Sequence, residues 1–176
     1  DKYAPRSWDS QKVLMPHYLG EEDNVSVVFF GDSHMENYYP RIKDLISSNR
    51  AVEIGAAFVT AGGCPPVRGV DRADFSLSVG CDEFVDQSMA FIKASGASSV
   101  VLGAYWDRYL LGVLDSPSAT PNLFRVGYPK TDVITADSEG FDWFFEQLSD
   151  QVNELSDAGI RVYIMLPTPS GKLFDP

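Results

Sequence analysis

The feature that most constrains this chain is a repeated change of hydrophobic period. Val25-Ser26-Val27-Val28-Phe29-Phe30 is a run of β-branched and aromatic residues stopping at Gly31-Asp32, as a strand buried on both faces does. From Met35 the apolar positions fall at Met35, Tyr38/Tyr39, Ile42 and Leu45/Ile46, the spacing of an amphipathic helix. Pro40 sits in its first turns, where a missing amide does least harm. The unit then recurs. Ala51 to Thr60 reads as a second strand, and Phe84, Ser88 and Phe91/Ile92 mark a helix ending near Gly96. Ser99 to Tyr105 reads as a third buried strand. Phe141, Phe144/Phe145, Leu148, Val152 and Leu155 form the strongest helical stripe, closed by Gly159 and followed by a strand from Ile160 to Leu166. Four strands alternating with three helices predict an α/β fold: three layers, α/β/α, around a parallel sheet joined by right-handed crossovers. A strand order of 2-1-3-4 puts Gly31 to His34 and Tyr105 to Arg108 on either side of the crevice where such sheets bind ligands.

With 176 residues and 44% hydrophobic content, the chain can bury one core of useful size. Residues 1–24 carry Pro5, Pro16, Gly20 and the acidic run Glu21-Glu22-Asp23 without apolar period, so they read as a linker or an arm lying on a domain that occupies 25–176. The acidic run itself is most simply a solvated face. Asp107 to Asp137 holds three prolines and no sustained period, and is expected to be a long surface excursion of the kind that serves binding. A net charge of -11 repels phosphate backbones and anionic lipid surfaces, so nucleic acid is excluded as a partner. The longest apolar runs, Val25 to Phe30 and Val100 to Trp106, fall far short of the roughly 20 residues that span a bilayer.

The two cysteines, Cys64 and Cys81, flank a segment with Pro65, Pro66, Gly69 and Gly80 and no regular period. They read as a disulfide stapling that loop in an oxidising compartment, with two free buried thiols as the alternative. Two thiols and two distant histidines lack metal-finger spacing, so no metal site is expected.

Chemistry concentrates where the first strand runs into Gly31-Asp32-Ser33-His34. A serine on that tight turn can project from the sheet edge while its amide, at a helix start, points toward developing negative charge, as an acyl-transferring nucleophile requires. Here the sequence resembles the SGNH hydrolase superfamily, whose first block is Gly-Asp-Ser at the end of the first strand. Gly31-Asp32-Ser33-His34, the loop Gly62-Gly63-Cys64-Pro65-Pro66 with Cys81, and Leu102-Gly103-Ala104-Tyr105-Trp106 resemble a narrower group. That group comprises the SGNH domains fused to membrane-bound acyltransferase-3 proteins that O-acetylate bacterial surface polysaccharides.

The resemblance implies a flavodoxin-like SGNH fold over about Val25 to Pro176. It implies Ser33 as nucleophile and as one oxyanion donor through its amide, with Gly63 as a second donor and Gly62 as the alternative if the register slips by one. The third block, Gly-x-Asn-Asp, is not intact, because Gly103 is followed by Ala104, Tyr105, Trp106 and Asp107. Tyr105 and Trp106, with Asp32 and His34, are candidates to line the site; packing under the long loop serves the aromatic pair equally well. The family's terminal Asp-x-x-His, which supplies the base, has no counterpart before Phe174-Asp175-Pro176, so the domain is expected to be truncated and this chain alone inactive. Of the histidines present, His34 diverges from its neighbour Ser33 and His17 lies in the arm. The implied partners are a polysaccharide acceptor and an acyl donor delivered by a membrane acyltransferase domain of the same polypeptide. The implied location is the periplasmic or extracellular face, tethered to the inner membrane, and no cofactor is implied.

Blander assignments stand beside these. Asp32 serves as a structural acid bonding the turn, His34 as an ordinary helix-start residue, and Ser33 as an N-cap. Gly-Asp-x-His after a strand also opens metallophosphoesterases, where Asp32 and His34 are ligands of a two-metal centre, although no third histidine is present to complete one. A non-catalytic polysaccharide-binding domain of the same fold is the further alternative.

Overall fold

The computed structural model describes residues 7, 13–48, 54–72, 80–111 and 123–166. The strands are β1 (His17–Leu19), β2 (Val25–Gly31), β3 (Gly55–Thr60), β4 (Val70–Arg72), β5 (Ser99–Gly103), β6 (Leu123–Arg125) and β7 (Arg161–Met165). The helices are α1 (Ser33–Glu36), α2 (Tyr39–Ser48), α3 (Cys81–Ala94), α4 (Trp106–Leu110) and α5 (Glu139–Asp157). The central sheet runs β1-β3-β2-β5-β7, and its last four strands are parallel in the expected 2-1-3-4 order. The segment 51–53 of the expected second strand lies outside the described residues.

Alternation along β2 divides the core. Val28 and Phe30 face one way, packing with Val100 and Leu102 of β5, with Phe84, Met89 and Ile92 of α3 and with Phe144, Leu148 and Leu155 of α5. Phe29 faces the other way, into a smaller cluster with Phe58 and Met35, against which Tyr39, Ile42 and Ile46 of α2 pack. Burial of both faces of a strand, with helices on each, is what a parallel sheet requires. Phe29 and Phe58 stack at 4.7 Å between centroids, and Phe30 meets Phe84 edge to face at 5.7 Å.

The structure departs from the sequence reading in four places. The sheet has an additional antiparallel edge strand, β1, pairing His17 with Phe58 and Leu19 with Ala56, and Ser7 is buried beside it, donating to the Phe58 and Thr60 carbonyls. The expected helix from Met35 to Ile46 is broken into α1 and α2 at Asn37-Tyr38, because Pro40 has no amide to continue the ladder. The described part of the expected surface excursion is exposed at 126–131 but is not superficial throughout. Tyr109, Leu110, Leu123, Phe124 and Ile134 are buried, because β6 pairs antiparallel with β4 and the Ile134 amide donates to the Leu123 carbonyl. Residues 112–122 of that excursion lie outside the described residues. The fourth parallel strand is not buried on both faces. As the sheet's edge among the described residues, β7 leaves Tyr163 and Ile164 half exposed.

Candidate active site

The site is built at the carboxyl ends of β2, β3 and β5. Gly31 closes β2 opposite Gly103 of β5, and the two backbones are so close that a β-carbon on Gly31 would lie 1.7 Å from the Gly103 carbonyl oxygen. That carbonyl accepts from the Asp32 amide at 3.3 Å. The chain then turns at once into α1, with Ser33 as its first residue and solvent-exposed. Exposure at the end of a central strand is what a nucleophile needs to meet a substrate. The N-cap is Asp32, so the alternative assignment of Ser33 as the N-cap is not the one the helix adopts. With only four residues, α1 carries far less dipole than the long helix expected there.

Asp32 is 1% exposed, and its carboxylate is engaged on both oxygens. Oδ1 accepts from the His34 amide at 2.8 Å. Oδ2 accepts from the Tyr105 amide at 3.0 Å and from the Tyr109 hydroxyl at 2.7 Å. The carboxylate thus lies beneath the turn and ties it to the segment leading into α4. Burial, then the adjacent Asp32 charge and hydrogen bond, push the Tyr109 hydroxyl well above its ordinary value. The His34 ring lies on the Tyr105 ring at 4.2 Å between centroids, and both residues are half-buried. Trp106 is buried instead, and its Nε1 donates to the Met165 carbonyl at 3.0 Å, joining α4 to the end of β7.

The second loop leaves β3, the neighbouring strand, at the same rim. Thr60 is in register with Gly31, and the Ala61 amide donates to the Gly31 carbonyl at 3.0 Å. Gly62 is exposed, with open space where a β-carbon would be. Gly63 adopts φ +79, and its missing side chain is replaced by the guanidinium of Arg72, a residue 8% exposed. Cys64 and Cys81 form a disulfide that fixes this loop to the start of α3. Further along, Gln151 of α5 accepts from the Arg68 amide at 2.6 Å and donates to the Pro66 carbonyl, and Asp82 of α3 accepts from the Gly69 amide.

The structure therefore brings Asp32, Ser33, His34, Tyr105 and the Gly62-Gly63 loop to one rim. It does not bring His17 there, because β3 stands between β1 and β2. Among the described residues no three His, Cys, Asp or Glu side chains converge as a metal would require. Two residues escaped the sequence reading: Tyr109, whose spacing of four from Tyr105 was the available signal, and Arg72, buried inside the stapled segment. No helix among the described residues is long and apolar enough to cross a membrane.

No curated protein matches this chain. Among solved structures, the periplasmic domain of a lipopolysaccharide acetyltransferase from Salmonella ser. Paratyphi A matches with a TM-score of 0.53 at 17% identity, over 84% of this chain and 46% of that one. The chain thus spans less than half the length of that structure, and the likeness establishes a shared fold. The family described as "SGNH domain (fused to AT3 domains)" matches residues 5–176, and the chain belongs to that family of SGNH domains.

Proposed function

We propose that the intact protein transfers an acetyl group to or from a hydroxyl of a bacterial surface polysaccharide through an acyl-enzyme on Ser33. The observation that carries this reading is an exposed Ser33 one residue beyond a buried capping carboxylate, beside a glycine loop bonded to the same strand end. Ser33 Oγ attacks the acyl carbonyl carbon while its proton passes to a base, and the donor's leaving group departs with a proton. The acceptor hydroxyl then attacks the acyl-serine, forming the new ester and returning a proton to Ser33; water in its place gives net hydrolysis. The amides of Ser33 and Gly63, with Gly62 as the alternative, hold the oxyanion. Neither His17, which β3 separates from β2, nor His34, whose ring lies on Tyr105, is assigned as that base.

Membership of the family supports an acyltransferase-3 domain as the source of the acyl group, and the printed name of the Salmonella neighbour supports a polysaccharide acceptor. The disulfide supports an extracytoplasmic location at the membrane that holds the donor domain. The test is covalent labelling of the intact polypeptide by a fluorophosphonate, located by peptide mapping. Modification at Ser33, lost in Ser33→Ala together with acetyl transfer, is the expected result. Acetyl transfer persisting in Ser33→Ala would instead make this a polysaccharide-binding domain of the same fold.

A further inference from the structure

We infer that Tyr109 is a positioning residue for Ser33, acting through Asp32. This rests on the reading of Ser33 as nucleophile and adds to it a residue outside the motif. The geometry is that of a closed ring. Asp32 Oδ1 reaches two residues along the chain to the His34 amide, so Ser33 is the residue enclosed by that ring and its backbone cannot turn without breaking it. The ring is only as fixed as the carboxylate, and the carboxylate is held from behind at Oδ2 by the Tyr105 amide and the Tyr109 hydroxyl. The Tyr105 bond is made by backbone entering α4. The Tyr109 bond comes from a side chain 3% exposed, locked by packing in the main core, and is the shorter of the two.

The positive charge of Arg72 acts on the Tyr109 hydroxyl, and the same guanidinium fills the space at Gly63. Hydrogen bonds to a charged group are among the stronger ones in proteins, and loss of one donor from a buried carboxylate leaves it free to swing.

The experiment compares Tyr109→Phe, which keeps the ring and deletes only the hydroxyl, with the parent and with Ser33→Ala, all as intact polypeptides. The substrate is para-nitrophenyl acetate. Tyr109→Phe is expected to lower kcat about tenfold, the effect of one misplaced charge-assisted bond, with KM within about twofold. Hydrogen exchange supplies the second measurement: the His34 and Tyr105 amides lose protection while Val28 and Phe30 in β2 keep theirs, showing that the fold persists. An unchanged kcat, or a loss of protection spread evenly over β2, overturns the inference. Turnover persisting in Ser33→Ala overturns the nucleophile itself, a different failure from an unchanged Tyr109→Phe.

Discussion

The guanidinium of Arg72 occupies the place a side chain would take at Gly63: a β-carbon built there would sit 1.8 Å from Arg72 Nη1. Position 63 is also in the left-handed region, at φ +79, where an L side chain costs roughly 1–2 kcal/mol. Gly63→Ala therefore faces both strain and the displacement of a buried cation, and is expected to destabilise the fold by at least about 1 kcal/mol in urea denaturation. Gly62→Ala meets open space and should stay within about 0.5 kcal/mol of the parent. Equal effects of the two substitutions would contradict the packing of Arg72 on this loop.

The disulfide closes a separation of 17 residues that begins just after the Gly62-Gly63 pair and includes β4. Constraint of the unfolded chain by a loop of this size is worth about 3 kcal/mol. Replacing Cys64 and Cys81 together by alanine should lower stability by about that amount. Latching of the loop by Gln151 and Asp82 acts independently of the bridge, so the folded domain should persist with a lower melting temperature. A double variant as stable as the parent would show that those latches suffice by themselves.

Legibility in the sequence followed the kind of force involved. β2 was readable because burial on both faces demands an unbroken apolar run, and α5 because its stripe repeats over several turns. β1, β4 and β6 are each three residues long, too short for any period to show, and they exist because neighbouring backbone offers partners. The edge position of β7 depends on what lies beside the strand rather than on its own residues. At the site, Gly31 through His34 announced a strand-to-helix turn, but the partner of Asp32 lies 77 residues away and the neighbour of Gly63 is a cation at the end of the three-residue β4. Such polar matches carry no periodic signature.

Glu154 gives the acid limb of stability. It pairs with Arg68 and, at 2.5 Å, with Lys93, and hydrogen bonds from these two cations hold its carboxyl below the ordinary 4.5. A carboxylate depressed in the fold contributes stability that is present above its unfolded value and is lost as pH falls through its folded value. The domain should therefore weaken as pH falls below about 4.5, and Glu154→Gln should make that slope shallower while costing no more than ~1 kcal/mol at neutral pH, because the pair is partly exposed. Thermal denaturation of both proteins from neutral to acid pH measures it; parallel curves would remove Glu154 from the account.

Tyr109 sets the opposite limb. Its hydroxyl is held above the ordinary 10.0 by burial first and by the Asp32 carboxylate second, so the folded state keeps the proton that the unfolded state gives up. The sign is then fixed: the contribution is fully present below the unfolded value near 10.0 and declines as pH rises toward the folded value, at about 1.4 kcal/mol per pH unit for one proton. Tyrosinate absorbance from this residue should appear only as the domain unfolds. Tyr109→Phe has no proton to lose, so its stability should fall less steeply above pH 10.0 even though it starts lower through loss of the bond to Asp32. Urea titrations of both proteins across that range provide the check, and an alkaline slope unaltered by the substitution would mean that Tyr109 ionises in the folded protein as an exposed tyrosine does.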